Sequence, residues 1–382
     1  MTSRIDWVRA NCRLLLAIAE EFAATQPFHE MTIGTGIHLE PKTVALLLTL
    51  KAGGARVVST GNLNSTQPEA VDYLRAQGID IVGDRTTDER QHDENLRRVL
   101  AAEPHLLLDN GGDLFERYLD EPYERLLGGT EETTLGRMRL STLRSRLTRP
   151  ILVINDSPIK QFAENRHAVG QSVLESFLRI TNRATNGRNV LVFGYGSVGR
   201  GIAASFRNAF ASVAVIEPDP VLRLEASFDG FQVPDRATGL RQADVVITAT
   251  GAAGVITEAD LDVLRHRVVL INAGHFPAEI AVDRIMADPR VTGDRDGPEG
   301  ITTVELTDGR EIHVLTEGHM VNLGGPRPLG NSIESMDLGF ALQARCLEAV
   351  ARGRASPEDV VVPVPAWINA LVAEAFLERY RG

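Results

Sequence analysis

The chain of 382 residues contains little cysteine and no long apolar run. Its two cysteines, Cys12 and Cys346, are too few for a disulfide framework or a four-thiolate zinc site, and both lie in helical patterns. We expect both thiols to be buried and without a chemical role. The longest aliphatic stretch, Leu14 to Ala19, is too short to span a bilayer, and the first residues lack the apolar segment of a secretory signal. These absences predict a cytoplasmic protein with no membrane partner.

The chain also lacks an excess of positive charge. Forty basic residues against 51 acidic residues leave a formal net charge of −11, and the basic residues are scattered along the chain. We therefore predict no nucleic-acid partner. Apolar residues make up 43% and charged residues 24%, which excludes collagen-like, coiled-coil and wholly disordered chains. At about 150 residues per domain, the length predicts two or three domains.

Three common catalytic motifs are absent. No lysine of the phosphate-binding type follows a glycine loop, no His-Glu-x-x-His occurs, and no Gly-x-Ser-x-Gly turn is found. The common ATPase, zinc-protease and α/β-hydrolase functions therefore lose support. The nine histidines do not cluster as metal ligands do, so we predict no metal site.

Strand-length apolar stretches alternate with helix-length patterns along the chain, which predicts parallel sheets. A first set of strands is expected at 56–59, 79–82, 105–108 and 151–154. A second set is expected at 190–193, 213–216, 244–248 and 268–271, followed by an edge hairpin of 303–306 with 312–315 and a surface turn at 294–298. Two sheets predict at least two α/β domains.

The sharpest local motif is a glycine-rich turn, Gly194-Tyr195-Gly196-Ser197-Val198-Gly199, between an apolar strand and a helical pattern. Such glycines permit a tight turn and a close approach of a pyrophosphate to the first N–H groups of the helix. Glu217 lies 18 residues beyond Gly199, at the end of the next strand. A carboxylate there can accept hydrogen bonds from a ribose diol and would repel a 2′-phosphate. The pattern predicts a Rossmann-type site for NAD rather than NADP.

Two histidines lie where parallel-sheet proteins place ligands, at the carboxyl ends of strands. His38 follows the turn Gly34-Thr35-Gly36 and precedes a helical pattern. His275 follows a predicted strand of the nucleotide-binding domain, within Asn272-Ala273-Gly274-His275-Phe276. Both histidines are candidate functional residues.

Ordered blocks of residues over most of the chain resemble the S-adenosylhomocysteine hydrolase family. The blocks are 37–43, 64–67, 108–114, 130–134, 155–157 with Lys160, 164–165, the glycine loop, 272–276, 317–318 and 321–323. The residues at 40–42 and at 170–172 resemble the short bacterial and archaeal branch. The resemblance implies a tightly held NAD that takes a hydride from a nucleoside 3′-hydroxyl. The resulting ketone acidifies the C4′ hydrogen, the 5′ substituent is eliminated, water adds, and the ketone is reduced.

The resemblance also implies roles for individual residues. The candidate catalytic residues are Lys160 with Glu164 at the 3′-hydroxyl, Glu132 at the ribose hydroxyls, Asp109 and His38 near C4′ and C5′, and His275 near the nicotinamide. The candidate substrate contacts are Glu40, Asn64, Thr66, Gln67, Asn110 and Asn331. The candidate NAD contacts are Thr133, Thr134, Asn165, Gly194, Gly196, Ser197, Val198, Gly199, Glu217, Thr250, Gly251, Ala273, Gly274 and Asn322.

Three features depart from the family pattern. Where the family has two consecutive aspartates, this chain has Asp109-Asn110, and an amide cannot transfer the proton. Residues 324–332 replace a Gly-His-Pro loop that helps to close the site, and they make it about two residues longer by alignment with the family pattern. The chain ends at Gly382 without the usual tail, which donates a lysine and a tyrosine to a neighbouring subunit's NAD. We expect a homo-oligomer, with dimer and tetramer both open.

These observations predict an α/β protein with a parallel-sheet substrate domain and a Rossmann NAD-binding domain. The expected bounds are 1–165, completed by about 325–355, for the first domain, 166–324 for the second, and a short C-terminal segment at 356–382. We favour a lyase or dehydratase that forms a 4′,5′-unsaturated purine nucleoside. The alternatives are an ordinary adenosylhomocysteinase, a non-enzymatic regulatory paralogue that binds NAD or nucleoside, and a simple dehydrogenase that releases NADH.

Overall fold

The computed structural model describes residues 3–274 and 277–381. The chain divides into two units, Met1–Gln161 with Ile333–Gly382, and Phe162–Ser332. The transitions therefore lie at 161 and 333, where the sequence suggested 165 and about 325. Residues 356–382, expected as a separate segment, are part of the first unit because their helix packs on other helices of that unit.

Ten strands of the described residues fall close to predicted positions, and those at 32–37, 128–131, 291–296 and 362–363 were not predicted as strands. The strands are β1 (Thr32–Ile37), β2 (Arg56–Gly61), β3 (Asp80–Ile81), β4 (Leu106–Asp109), β5 (Gly128–Glu131), β6 (Ile151–Val153), β7 (Asn189–Phe193), β8 (Ser212–Ile216), β9 (Val245–Thr248), β10 (Val268–Asn272), β11 (Val291–Asp296), β12 (Ile301–Leu306), β13 (Glu311–Leu315) and β14 (Val362–Pro363).

The helices separate these strands. They are α1 (Arg4–Asn11), α2 (Arg13–Thr25), α3 (Pro41–Ala52), α4 (Pro68–Ala76), α5 (Glu89–Leu100), α6 (Asp113–Tyr118), α7 (Thr134–Leu143), α8 (Val169–Thr181), α9 (Ser197–Asn208), α10 (Pro220–Phe228), α11 (Arg236–Gln242), α12 (Val282–Met286), α13 (Val321–Gly324), α14 (Ile333–Ala351) and α15 (Ala366–Arg381). A π-helix spans Lys160–Ala168, and 3₁₀ turns span Arg144–Arg146, Ile154–Asp156, Glu258–Asp260, Pro277–Glu279 and Thr316–Gly318.

Several helices begin at residues suited to that position. Pro41, Pro68 and Pro220 lie in the first turns of α3, α4 and α10, where the missing N–H has no helical partner to lose. The side-chain oxygens of Asp88 and Thr133 accept hydrogen bonds from the first turns of α5 and α7. No helix of the described residues combines the length and apolar composition that a membrane crossing requires.

The sheet of the first unit has the strand order β14-β6-β5-β4-β1-β2-β3 within the described residues, and every pairing in it is parallel. Strands β1, β4, β5 and β6 are buried along their whole length, as expected for a parallel sheet covered on both faces. The carboxyl ends of β5, β4, β1 and β2 therefore lie side by side at one edge of the sheet.

The sheet of the second unit has the order β11-β12-β13-β10-β9-β7-β8 among the described residues. From β8 to β13 the strands are parallel, whereas β12 and β11 are antiparallel to their neighbours. Alternate residues of β7 enter different cores, with Val190 and Val192 on one face and Leu191 and Phe193 on the other. The α/β fold with a Rossmann-type second unit is confirmed.

One detail of the second sheet differs from the sequence prediction. The hairpin of β12 and β13 forms, but β11 pairs outside it, so the hairpin is not at the edge. Residues 294–296, predicted to be a turn, are therefore part of an edge strand. Arg295 forms ion pairs with Glu305 at 3.2 Å and with Glu311 at 2.5 Å. Charged residues are typical of exposed edge strands, and they give this strand the composition of a loop.

The two cysteines are buried and free. Cys346 lies within α14, as the helical pattern predicted, whereas Cys12 separates α1 from α2. Beside Cys12, the buried side chain of Asp337 caps α2 from a distant part of the chain. Asp337 accepts hydrogen bonds from the N–H groups of Leu14 at 2.7 Å and Leu15 at 3.0 Å, and from the Tyr380 hydroxyl at 2.7 Å. This contact fastens α15 to the start of the chain.

The Asp337 cap predicts a pH-dependent stability. Burial raises the pKa of Asp337 from its ordinary value of 3.8 to about 6, although the bonds from Leu14, Tyr380 and Leu15 oppose the increase. The folded state holds this proton more tightly than the unfolded state. Asp337 therefore contributes most to the free energy of unfolding below pH 4. This contribution falls by about 3 kcal/mol as the pH rises to about 6. We expect Asp337→Asn to remove this part of the pH dependence.

The measurement is the free energy of unfolding in urea at pH values from 4 to 7. The control is Glu374→Gln, which neutralises an exposed carboxylate on α15, the helix that this contact holds. An identical pH dependence in the wild type and in Asp337→Asn would show that the proton affinity of Asp337 does not change on folding.

Candidate functional site

Four polar residues of the first unit, among them the candidate catalytic residues Glu132 and His38, follow the ends of adjacent strands. Glu132 follows β5, Asn110 follows β4, His38 follows β1 and Asn62 follows β2. Glu132, Asn110 and Asn62 are buried, and His38 is partly buried. Residues that are far apart in the sequence thus form one row at the carboxyl edge of the sheet, the edge where α/β proteins bind ligands.

Lys160, Glu132 and Asn110 form a continuous chain of hydrogen bonds. Lys160 Nζ donates to Glu132 Oε1 at 2.9 Å, and Asn110 Nδ2 donates to Glu132 Oε2 at 2.8 Å. Burial alone would raise the pKa of Glu132. The adjacent charge and hydrogen bond of Lys160, the Asn110 amide and the charge of His38 outweigh it, so the pKa of Glu132 is lowered. The site therefore holds an ionised carboxylate with one hydrogen bond to each of its oxygens.

The chain of hydrogen bonds continues from Asn110 to His38. Asn62 Nδ2 donates to Asn110 Oδ1 at 2.9 Å, and the Asn62 carbonyl accepts a bond from Ser65 Oγ at 3.2 Å. Ser65 Oγ lies 2.5 Å from His38 Nδ1. A histidine and a lysine that can exchange protons are thus joined by a series of fixed amide, hydroxyl and carboxylate groups.

The side chain of Asp109 bonds backbone N–H groups rather than Lys160, Glu132 or Asn110 side chains. Its side chain is fully buried, with Oδ1 accepting from Asn110 N at 2.9 Å and Oδ2 from Phe115 N at 3.0 Å. Burial and the Asp113 carboxylate raise the pKa of Asp109 to about 7, against the opposing bonds of Phe115, Leu114 and Asn110 N–H groups. Asp109 holds the loop that carries Asn110. Its predicted role near C4′ and C5′ stays a prediction.

Glu131 supports the same loop, although the sequence analysis did not select it. Its fully buried carboxylate accepts bonds from the N–H groups of Gly111 at 3.1 Å and Gly112 at 2.9 Å. It also accepts bonds from the Thr133 N–H and hydroxyl, each at 2.7 Å. Burial and the nearby Asp109 raise the pKa of Glu131. Its position at the end of β5 is the signal that could have identified it.

Several predicted substrate contacts have other partners in the structure. Glu40 and Lys42 form a buried ion pair at 2.8 Å. Thr66 is buried beside Gly61, and Gln67 precedes α4. Asn64 accepts a hydrogen bond from Arg85 at 2.8 Å. Of this predicted set, only Asn110 enters the hydrogen-bond chain described above.

The π-helix carries three of the predicted residues, namely Lys160, Glu164 and Asn165. Such a helix has i→i+5 hydrogen bonds, is rare, and is frequent at functional sites. Lys160 belongs to the first unit, whereas Glu164 and Asn165 belong to the second. Lys160 and Glu164 are both buried. An uncommon local conformation thus presents these side chains.

The glycine turn of the second unit has the form of a phosphate cradle. Gly194 has a φ of +96°, which a residue with a side chain would rarely adopt, and its N–H donates to Ile216 O at 2.9 Å. Helix α9 begins at Ser197, directly after Gly196, and no side chain caps its first turn. A Cβ atom added to Gly196 would meet no atom of the described residues within 4 Å. The space beside Gly196, at the start of α9, is therefore open on the side where a phosphate would approach the helix.

The other predicted cofactor residues follow the neighbouring strands. Glu217 follows β8 and accepts bonds from Tyr195 N at 2.7 Å and Asp219 N at 2.9 Å. Buried Glu279, a residue that the sequence analysis missed, accepts bonds from Thr250 N at 3.0 Å and Gly251 N at 2.8 Å. Two backbone loops beside the glycine turn are thus fixed by carboxylates.

Further contacts hold the remaining predicted residues of the second unit. Gly274 N donates to Asn272 Oδ1 at 2.8 Å, which positions the loop of Ala273 after β10. Asn322 Nδ2 donates to Ser172 Oγ at 2.9 Å, and Ser172 Oγ also bonds Asn331 Oδ1 at 3.0 Å. The buried Asn322 Oδ1 has no hydrogen-bond partner among the described residues. His275, a predicted catalytic residue, lies outside the described residues.

Comparisons with known proteins agree with this geometry. The model for the S-adenosyl-L-homocysteine hydrolase family matches residues 3–121, and that for its NAD-binding domain matches residues 165–327. An S-inosyl-L-homocysteine hydrolase of Methanopyrus kandleri is 38% identical over 98% of this chain and 89% of its own length. An adenosylhomocysteinase of Thermotoga maritima is 39% identical over 98% of this chain and 93% of its own length. The chain belongs to the S-adenosyl-L-homocysteine hydrolase family.

The predicted resemblance to this family is confirmed, and NAD is the cofactor of this enzyme. The second unit fits that cofactor, because it offers an open glycine cradle, a carboxylate after β8 and an unsatisfied buried acceptor on Asn322. Gly194, Gly196 and Gly199 would line the pyrophosphate, and Glu217 would face the ribose. Among the described residues, no three His, Cys, Asp or Glu side chains are grouped as a metal site would require.

The glycine cradle predicts that one substitution removes NAD binding and that another lowers the stability of the protein itself. We expect Gly196→Val to leave the melting temperature of the NAD-free hydrolase-family enzyme nearly unchanged and to abolish its increase on adding NAD, because the side chain fills the open space. In Gly199→Ala, the new Cβ would lie 2.0 Å from Gly194 O, so the NAD-free protein itself should lose about 1–3 kcal/mol of stability. Thermal unfolding with and without NAD measures both effects. A full NAD-induced increase in Gly196→Val would place the pyrophosphate elsewhere.

Proposed function

We propose that this chain oxidises the 3′-hydroxyl of a purine nucleoside and eliminates its 5′ substituent, which makes it a lyase or dehydratase that forms a 4′,5′-unsaturated nucleoside. The observation that supports this proposal is the buried chain of Lys160, Glu132 and Asn110. It keeps the cation and the carboxylate suited to a sugar hydroxyl, while an amide stands where the family pattern has a second acid.

Each residue of the hydrogen-bond chain has a distinct role in the proposed reaction. The carboxylate of Glu132 accepts hydrogen bonds from the ribose hydroxyls, and Lys160 exchanges the proton of the 3′-hydroxyl. His38, held by Ser65, exchanges a proton on the 5′ side of the sugar. When bound, NAD supplies the acceptor and later the donor of the 3′ hydride.

The proposed reaction has no net consumption of NAD. Oxidation at C3′ makes the neighbouring C4′ hydrogen acidic, and its removal as a proton leaves the electron pair that forms the 4′,5′ double bond. The bond from C5′ to the leaving group breaks, and that group departs with its electron pair and takes up the released proton. Reduction of the 3′ ketone then restores the hydroxyl. The net products are the unsaturated nucleoside and the protonated leaving group.

Asn110 favours elimination over hydrolysis where the 5′ group leaves as a thiolate. For a hydroxyl leaving group, loss of an acid–base residue slows the departure and the addition of water equally. A thiolate leaving group departs without prior protonation, whereas the addition of water still requires a base. Asn110 Oδ1 and Nδ2 are already bonded to Asn62 and Glu132, and an amide cannot supply that base. The unsaturated product would then be released before water adds.

The second candidate function is hydrolysis of a homocysteine nucleoside. It is supported by the relatives, which are named S-inosyl-L-homocysteine hydrolase and adenosylhomocysteinase and which align with nearly the whole chain. The steps are the same as far as elimination. Water then adds at C5′, the 3′ ketone is reduced, and the products are the free nucleoside and homocysteine.

One experiment separates the two functions. The NAD-loaded enzyme is incubated in heavy-oxygen water with S-adenosyl-L-homocysteine, S-inosyl-L-homocysteine, adenosine and sugar-modified or 5′-modified purine nucleosides, and products are identified by mass spectrometry. We expect an unsaturated nucleoside without heavy oxygen and only transient NADH absorbance. Free nucleoside carrying heavy oxygen at C5′, with steady release of homocysteine, would establish the hydrolase. Absence of transient NADH with every nucleoside would overturn both.

We also propose that the enzyme is a cytoplasmic homo-oligomer, on the basis of its family membership. Sedimentation equilibrium at several protein concentrations measures the number of subunits. A monomer at all concentrations would contradict this proposal.

A further inference from the structure

Asn62 contacts both halves of the hydrogen-bond chain in the first unit. Its side-chain Nδ2 donates to Asn110 Oδ1 at 2.9 Å and to the Asn110 carbonyl at 3.3 Å. Its own carbonyl accepts a bond from Ser65 Oγ, which in turn contacts His38. Asn62 is 8% exposed and lies directly after β2, outside every motif of the sequence analysis.

The orientation of the Asn110 amide matters because its two ends have opposite hydrogen-bonding character. Glu132, as a carboxylate, can only accept hydrogen bonds, so Asn110 must present its NH₂ group to it. The amide oxygen of Asn110 then points to Asn62, and the NH₂ group of Asn62 matches it. A rotated Asn110 amide would place its oxygen against the carboxylate of Glu132. It would also place its NH₂ group against the NH₂ group of Asn62.

We propose that Asn62 is a positioning residue of the reaction, which fixes the Asn110 amide as a donor to Glu132 and fixes the Ser65 hydroxyl against His38. Through Asn110 it keeps Glu132 Oε2 in place, so that Oε1 remains bonded to Lys160. The inference rests on the proposed function, because it assigns Asn62 to the groups that align the sugar hydroxyls for oxidation.

Two substitutions test this role. Asn62→Asp has the same shape and keeps the carbonyl that holds Ser65, but it replaces the NH₂ donor by an acceptor. We expect Asn110 to turn towards the new carboxylate, and Glu132 to move away from Lys160. The rate of NADH formation in a single turnover should fall about 100-fold, the size expected for a misaligned reacting group. Asn62→Leu removes the donor without adding an acceptor, so Glu132 alone still orients Asn110. Its rate should fall about 10-fold.

The order of these effects distinguishes positioning from a structural role. If Asn62 had only a structural role, Asn62→Leu, which changes the shape of the side chain, would lower the rate per folded molecule at least as much as Asn62→Asp. The nucleoside concentration at half-maximal rate should change less than the rate itself, because Asn62 does not contact the nucleoside in this scheme. Asn95→Asp is the control, since it also introduces a carboxylate at a buried asparagine of the first unit, outside the hydrogen-bond chain. Unfolding in urea gives the folded fraction of each variant.

The possible results separate this inference from the proposed function. If the wild type forms no NADH with any nucleoside, the proposed function fails and the assignment of Asn62 fails with it. If the wild type forms NADH and both Asn62 variants react within threefold of it, only the inference is overturned. A larger loss in Asn62→Leu than in Asn62→Asp would also overturn it. The expected order, with Asn95→Asp unchanged in rate, supports it.

Discussion

We expect Lys160→Met to reduce the rate of NADH formation in a single turnover about 1,000-fold with any nucleoside that the wild type oxidises. The lysine donates its hydrogen bond to Glu132, and methionine retains much of the length of the side chain without its charge or its exchangeable protons. A positioned acid–base group contributes about 10²–10⁴-fold to a rate. Among the described residues, no other cationic side chain is hydrogen-bonded to Glu132 and could replace Lys160 at the 3′-hydroxyl.

The chain contains only three lysines, which makes a matched control available. Lys51→Met changes an exposed lysine at the end of α3, whose Nζ donates to Gln77 O. This variant should react at the wild-type rate. Stopped-flow absorbance of NADH measures both variants. A Lys160→Met rate within threefold of the wild type would exclude Lys160 from the oxidation step.

The second large effect concerns stability. We expect Glu132→Gln to lower the free energy of unfolding by about 3–5 kcal/mol, because the side chains of both partners of the ion pair are buried, with 4% of Lys160 and 7% of Glu132 exposed. The glutamine replaces the carboxylate that lies 2.9 Å from the desolvated ammonium group of Lys160 by a neutral amide. Urea unfolding at neutral pH measures the change.

The double variant Lys160→Met, Glu132→Gln separates loss of the ion pair from loss of packing. The double variant removes both charges of this ion pair instead of one, so it should be more stable than Glu132→Gln alone. It should nevertheless remain unable to oxidise a nucleoside. If the two single losses of stability simply add in the double variant, the ion pair contributes nothing to folding beyond the separate side chains.

The sequence predicted the cofactor cradle well because its parts are neighbours along the chain. A strand, a glycine turn and a helix follow one another within residues 189–208, and their geometry depends on local backbone freedom. Glu217 follows the next strand, which pairs directly with β7. In such a motif, order along the chain and proximity in space coincide.

The hydrogen-bond chain of the first unit could not be predicted in the same way. Asn62 and Asn110 are 48 residues apart, and they meet because β1 lies between β2 and β4 in the sheet. Glu131 and Gly111 are 20 residues apart and meet because β5 pairs with β4. Strand order is set by the packing of helices on both faces of the sheet, and no local pattern around Asn62 or Glu131 records it.

The sequence by itself determined the parallel α/β architecture, the family and the residues available for catalysis, because periodicity, glycine positions and ordered blocks are properties of the chain. Only the tertiary structure decided which of two adjacent residues faces the site. Asp109 ends β4 and is enclosed by the backbone N–H groups of the next loop, whereas Asn110 points to Glu132. Successive side chains at a strand end point in different directions, and the packing around them decides which one bonds the backbone of the next loop and which one joins the hydrogen-bond chain.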